Sequence, residues 1–137
     1  MRLIFLIIFI SNLYATNSYS HGKIIISNIK NDIGYIDVSI YTDKESFSGK
    51  NPPAERIRKV ASKGDVIMPI SNLHEGIFSI FVFHDENNDN KFNQGFLWRP
   101  LEGFGYSNDY IPKSMPKYSE TTIKIKHDIP VSLKVNY

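Results

Sequence analysis

The apolar run Ile77–Phe83, broken only by Ser79, constrains this sequence more than any other stretch. Its pattern suits a central strand covered on both faces. The connection into it, Leu73-His74-Glu75-Gly76, reads as a tight link between antiparallel strands, with Gly76 supplying a positive φ. The run then stops abruptly at His84-Asp85-Glu86-Asn87-Asn88-Asp89-Asn90-Lys91-Phe92-Asn93. A Gly- and aromatic-rich stretch follows, and the remaining chain reads as a β scaffold around this segment.

The scaffold comes in short pieces. Gly22–Ile29 reads as a first strand, and Asn31-Asp32-Ile33-Gly34 is turn chemistry. In Tyr35–Tyr41, Ile36, Val38 and Ile40 alternate with Tyr35, Asp37, Ser39 and Tyr41, the pattern of a half-buried strand. Asp43–Ala54 is a polar excursion with Asn51-Pro52-Pro53, a surface loop with room for one helical turn. Arg56–Val60 is a weak strand candidate and Asp65–Ile70 a further short strand. Thr121–Lys126 and Val131–Tyr137 both alternate, and His127-Asp128 joins them as a terminal hairpin. About seven short strands with frequent turns predict an all-β fold, an antiparallel β-sandwich with one long ordered loop.

The chain begins differently. Arg2 precedes the apolar stretch Leu3–Ile10, and Ser18-Tyr19-Ser20 offers small residues before His21. That order predicts a signal peptide over residues 1–20, leaving a single domain over 21–137. The apolar stretch is shorter than the roughly 20 residues a membrane span needs, so the mature chain is expected to carry no transmembrane segment. The protein is expected to be exported, periplasmic or extracellular. It has no Cys, so neither a disulfide nor a lipidated cysteine accompanies export. Without Arg2, the 16 Lys and Arg become 15, against 14 Asp and Glu. No long basic run exists, which argues against nucleic acid as a partner. The partners left open are a small ligand or an envelope protein.

Asp85, Asn87, Asp89, Lys91 and Asn93 share one parity. Oxygen-bearing side chains at relative positions 1, 3, 5 and 9 have the spacing with which a calcium loop wraps a hard cation. Asn90 stands where such a loop usually has Gly, and Asn tolerates the left-handed conformation. Phe96 takes the place of the closing Glu, and Glu102 reaches the site only if the chain folds back. Two readings stand: a weak Ca²⁺-type site of Asp85, Asn87, Asp89, Asn93 and Glu102, or an Asn/Asp turn that caps its own backbone.

The stretch from Asp85 to the next recognisable strand spans about 34 residues, a length that in a compact domain signals function or disorder. Its aromatic content argues for order. Phe96, Trp98, Phe104 and Tyr106 form either a satellite core beneath the loop or, with Trp98, Phe104 and Tyr106 foremost, a ligand-binding surface. Catalytic constellations are poor. His84 and Asp85 are strand neighbours and point to opposite faces. The expected protein is a non-enzymatic binding or structural module. The rival class is a hydrolase using Asp85 or Glu102 with His84.

Phe83–Asn93, followed by Pro100-Leu101-Glu102-Gly103-Phe104-Gly105-Tyr106-Ser107-Asn108, resembles the exported bacterial family known as domain of unknown function 2141. That family shows a His-Asp-Glu-Asn core, a Pro-x-Glu-Gly-aromatic-Gly-aromatic-Ser-Asn run and a Pro-aromatic segment. Met115-Pro116-Lys117-Tyr118-Ser119-Glu120 is similar to the last of these, and Leu73-x-x-Gly76 resembles the family's strand-entry turn. Asn93 replaces an acidic residue of the family, which implies lower metal affinity, and Trp98-Arg99 replaces a smaller step, which implies a bulkier loop. The resemblance implies an exported β-sandwich similar to transthyretin-like or immunoglobulin-like domains. It implies no activity.

Overall fold

The computed structural model describes residues 22–70, 75–126 and 128–137. The expected signal peptide and the Leu73-His74 part of the turn lie outside the described residues. Among the described residues eight strands form: β1 (Gly22–Ile29), β2 (Tyr35–Tyr41), β3 (Glu55–Val60), β4 (Gly64–Ile70), β5 (Gly76–Asp85), β6 (Phe104–Tyr106), β7 (Thr122–Ile125) and β8 (Val131–Lys134). Among the described residues, two single-turn α-helices interrupt them, α1 (Lys44–Phe47) and α2 (Tyr118–Thr121), together with two 3₁₀ turns, Phe96–Trp98 and Ser107–Asp109. Among the described residues, no helix is long and apolar enough to cross a membrane.

The strands make two sheets, one in the order β4-β1-β8 and one in the order β3-β2-β5-β6, with β7 also paired to β5. The predicted sandwich is therefore present. All pairings are antiparallel except β1 with β8, which is parallel. Alternation explains the core. Ile24 and Ile26 of β1, Met68 of β4 and Leu133 of β8 are sealed with Val38 and Ile40 of β2 and Ile80 and Val82 of β5. Pro69 is tolerated because β4 is an edge strand, where a missing N–H costs no ladder bond.

Three expectations need correction. The last two strands do not form a hairpin: β7 extends the larger sheet beside β5, while β8 crosses to the other sheet beside β1. The long segment after Asp85 is not free of strands, because β6 pairs with Phe81–Phe83 in its middle. Gly76 has no positive φ. It opens β5 instead, and a Cβ there would stand 3.1 Å from the ring of Phe78.

The larger sheet has two unlike faces. Ile36, Val38, Ile40, Phe78, Ile80 and Val82 point inward to the core. Asp37, Ser39 and Tyr41 of β2, Ser79, Phe81, Phe83 and Asp85 of β5, and Phe104 and Tyr106 of β6 share the outward parity. Neither β2 nor β5 is simply half-buried or fully covered. Asp37, Ser39, Ser79, Phe83 and Asp85 are buried on the outer side, whereas Phe81 is half-buried and Ile77 exposed.

Candidate functional site

Of the candidate site residues, Asp85, Phe104 and Tyr106 lie on the outer face of the larger sheet, whereas His84 points inward. At one end, β5 delivers Asp85 into the Asn/Asp segment with no solvent exposure at all. Its Oδ1 accepts the N–H of Asp89 at 3.1 Å and its Oδ2 that of Asn90 at 2.9 Å. Asn87 Oδ1 also accepts from Asp89 N, and Asp89 Oδ1 accepts from Lys91 N at 2.9 Å. Asn88 and Asn90 take φ of 61° and 62°, so Asn90 does adopt the left-handed turn expected of it. The segment is thus a chain of turns capped by its own side chains.

The same turns gather carboxylates. The chain folds back through bonds from Leu101 N to Asn93 O (3.0 Å) and Gly95 N to Arg99 O (2.8 Å), which returns Glu102 to the segment. Gly103 is required beside it, since a Cβ there would stand 2.3 Å from the Tyr137 ring. Asp85, Asp89 and Glu102 each place a carboxylate oxygen within 4.8 Å of the others. Asn87 and Asn93 turn their amide nitrogens to Asp89 Oδ2, at 3.2 and 2.9 Å, and so hold that carboxylate in place. Glu102 is only 8% exposed; its Oε2 accepts Asn93 N at 2.9 Å, while its buried Oε1 has no hydrogen-bond partner among the described residues. Burial raises its pKa, against the opposing pull of hydrogen bonds from the Asn93 backbone and side chain, and the charges of Asp85 and Asp89 add to the rise.

One participant was missed in the sequence. Arg58 of β3 donates to Asp37, to Asp85 Oδ2 at 2.8 Å and to Asn88 Oδ1 at 2.7 Å, and lies 4.1 Å from the Tyr35 ring centre. Burial pushes the Asp37 carboxyl up, against the opposing pull of Arg58. The only sequence signal was an opposite-charge pair on two neighbouring strands, and the register that sets Asp37 across from Arg58 was not readable.

His84, the one histidine among the described residues, stands apart. It is sealed on the inward side, with Nδ1 at 2.7 Å from the Tyr137 hydroxyl and Nε2 at 2.7 Å from the Ile33 carbonyl. It does not join Asp85 or Glu102 as a hydrolase would require.

Further along the outer face the rings take over. Phe81 packs against Phe92 at 5.1 Å and Tyr106 at 4.8 Å, and Phe92 against Phe104 at 5.5 Å. Asp43 caps α1 by accepting Ser46 N at 2.8 Å, which sets Phe47 near Tyr41 and Tyr118. Burial pushes the Tyr106 phenol up to about 12, so its hydroxyl stays neutral. Phe104 and Tyr106 are half-buried and pack within this ring cluster. Phe96 and Trp98 do not: they are 88% and 73% exposed, and Leu97 and Trp98 hold positive φ of 55° and 57°.

The sequence profile of a family described as an uncharacterized protein conserved in bacteria, DUF2141, matches residues 24–131, and the chain belongs to that family. No curated protein and no solved structure gives a significant match.

Proposed function

We propose that this protein is an exported, non-enzymatic binding module that holds a hard divalent cation, Ca²⁺ before others, at Asp85, Asp89 and Glu102. The observation behind this reading is Glu102 Oε1, buried and without a partner beside two further carboxylates. A buried polar atom left unpaired is costly, and a cation would satisfy it. Oxygen ligands suit a hard cation, and the chain has no thiolate for a softer one. Asn87 and Asn93 contribute by orienting Asp89.

Affinity is weak in this reading. Arg58 already offsets the charge of Asp85, and several carboxylate lone pairs are spent on backbone N–H groups. The expected Kd is about 10⁻⁴–10⁻³ M, the range of extracellular modules. Export places the site where Ca²⁺ reaches such concentrations.

The test is calorimetric titration of the purified protein with CaCl₂ and MgCl₂, alongside Glu102→Gln. The expected result is a saturable Ca²⁺ heat and a rising Tm, worth about 1.4 kcal/mol at tenfold excess over Kd. Glu102→Gln should stay folded and lose both responses. If the wild type gives neither heat nor thermal shift, the carboxylates are turn caps alone.

A further inference from the structure

The aromatic half of the outer face is open, and its openness has a chemical character. A depression of about 660 Å³ is walled by Phe92, Leu97, Trp98, Phe104, Tyr106 and Met115. It adjoins a second, of about 790 Å³, across the shared residues Phe92, Tyr106 and Met115, with Tyr41, Phe47 and Tyr118 on the far side. These are volumes typical of small-molecule sites. Leu97, Trp98 and Met115 are all strongly exposed, although bulky apolar side chains gain most by burial. Leu97 and Trp98 hold a left-handed backbone that such residues rarely adopt. Among the described residues, the charged side chains that line the groove are of one sign. Arg99 and Lys113 line the first depression, Lys44 and Lys117 the second, and no Asp or Glu lines either.

Walls of rings and methylenes with a wholly basic lining select an apolar body carrying an anionic end. We infer that this groove binds a single-chain amphiphile, a free alkyl carboxylate, with its chain along Phe92, Phe104, Tyr106 and Met115 and its head at Arg99 and Lys113. Trp98 closes over the chain. The lysine stems extend the apolar wall while their ammonium groups stay in water. This site is separate from the carboxylate cluster and does not depend on a cation there.

Trp98 is the only tryptophan of the chain, so its emission reports on the groove directly. The experiment titrates the purified protein with decanoate, decan-1-ol, acetate and anionic phospholipid vesicles. Decanoate should give a saturable blue shift, acetate none. Decan-1-ol should bind about fivefold more weakly, the loss expected for one exposed ion pair. Arg99→Gln combined with Lys113→Gln should erase that difference without moving Tm, since both side chains are exposed. Leu97→Ser, followed by calorimetry, should weaken binding of acid and alcohol alike. The inference is overturned if decanoate gives no saturable response, if the alcohol binds as well as the acid, or if only vesicles respond. The wild-type series decides the matter even if a variant misfolds.

Discussion

The two faces of the larger sheet are built from the same strands and solve different problems. The inner face, with Ile36, Val38, Ile40, Ile80 and Val82, is aliphatic, sealed and answered by an opposing sheet. Among the described residues, the outer face has no opposing sheet. It is covered by its own connections: α1, the Asn/Asp segment, the Phe96–Trp98 turn and the strap around α2. Loops cover a sheet less completely than strands, so the outer face keeps wide aromatic rings in place of branched aliphatics and leaves part of them wet. At its Asp85 end it substitutes charge for packing, with Arg58 gripping Asp37 and Asp85. The difference teaches that one strand, β5, can serve stability through one parity and chemistry through the other.

The sharpest way to break this contrast is at the charged end. Asp85→Ala takes from Arg58 one of its two buried carboxylate partners, leaving Asp37, and removes two caps from the loop, and is expected to cost about 3–5 kcal/mol in denaturant unfolding. A cost below about 1 kcal/mol would mean that the charged end is ornamental to the fold. Next comes a matched pair on neighbouring positions of β5. Ile80→Ala on the inner face should cost about 2–5 kcal/mol. Phe81→Ala on the outer face removes a larger side chain yet should cost only about 1–2 kcal/mol, because the ring is half-buried and truncation opens a gap toward water. Equal losses would show that the loops seal the outer face as well as a sheet does.

The smallest expected effect is a dependence on pH. Glu120 accepts Lys117 N and the Tyr110 hydroxyl, each at 2.9 Å, and these bonds hold its carboxyl below the usual range. The backbone bond from Lys117 is the larger cause. A lowered folded-state pKa means that the contribution is fully present above the ordinary Glu pKa and is lost as pH falls through the folded value. The Tm gap between wild type and Glu120→Gln should therefore close on acidification.

Alternation in Tyr35–Tyr41 and the run Ile77–Phe83 made the strands, and the sandwich, legible in the sequence. Pairing was less legible. Thr122–Ile125 and Val131–Lys134 alternate equally well, and alternation states which side faces a core but not which neighbour a strand takes. At the candidate site, parity brought forward Asp85 and Asp89, which stand together in the structure. It could not tell that Asn87 and Asn93 present nitrogen and not oxygen to Asp89, because the amide carries both. Arg58 was hidden because β3 has little alternation of its own and owes its place to β2.

The parallel pairing of β1 with β8 has a consequence in time. Asn28 bonds to the Val135 carbonyl across 107 residues of chain, and β1 sits between β4 and β8. The smaller sheet therefore cannot be completed until the last described strand is available. A chain delivered progressively from its beginning keeps one edge of β1 unpaired throughout, a template for any other extended segment nearby. So many distant contacts place the folding time in the range of about milliseconds to seconds. During that interval the exposed edge of β1, and not the finished molecule, sets the risk of mispairing between chains.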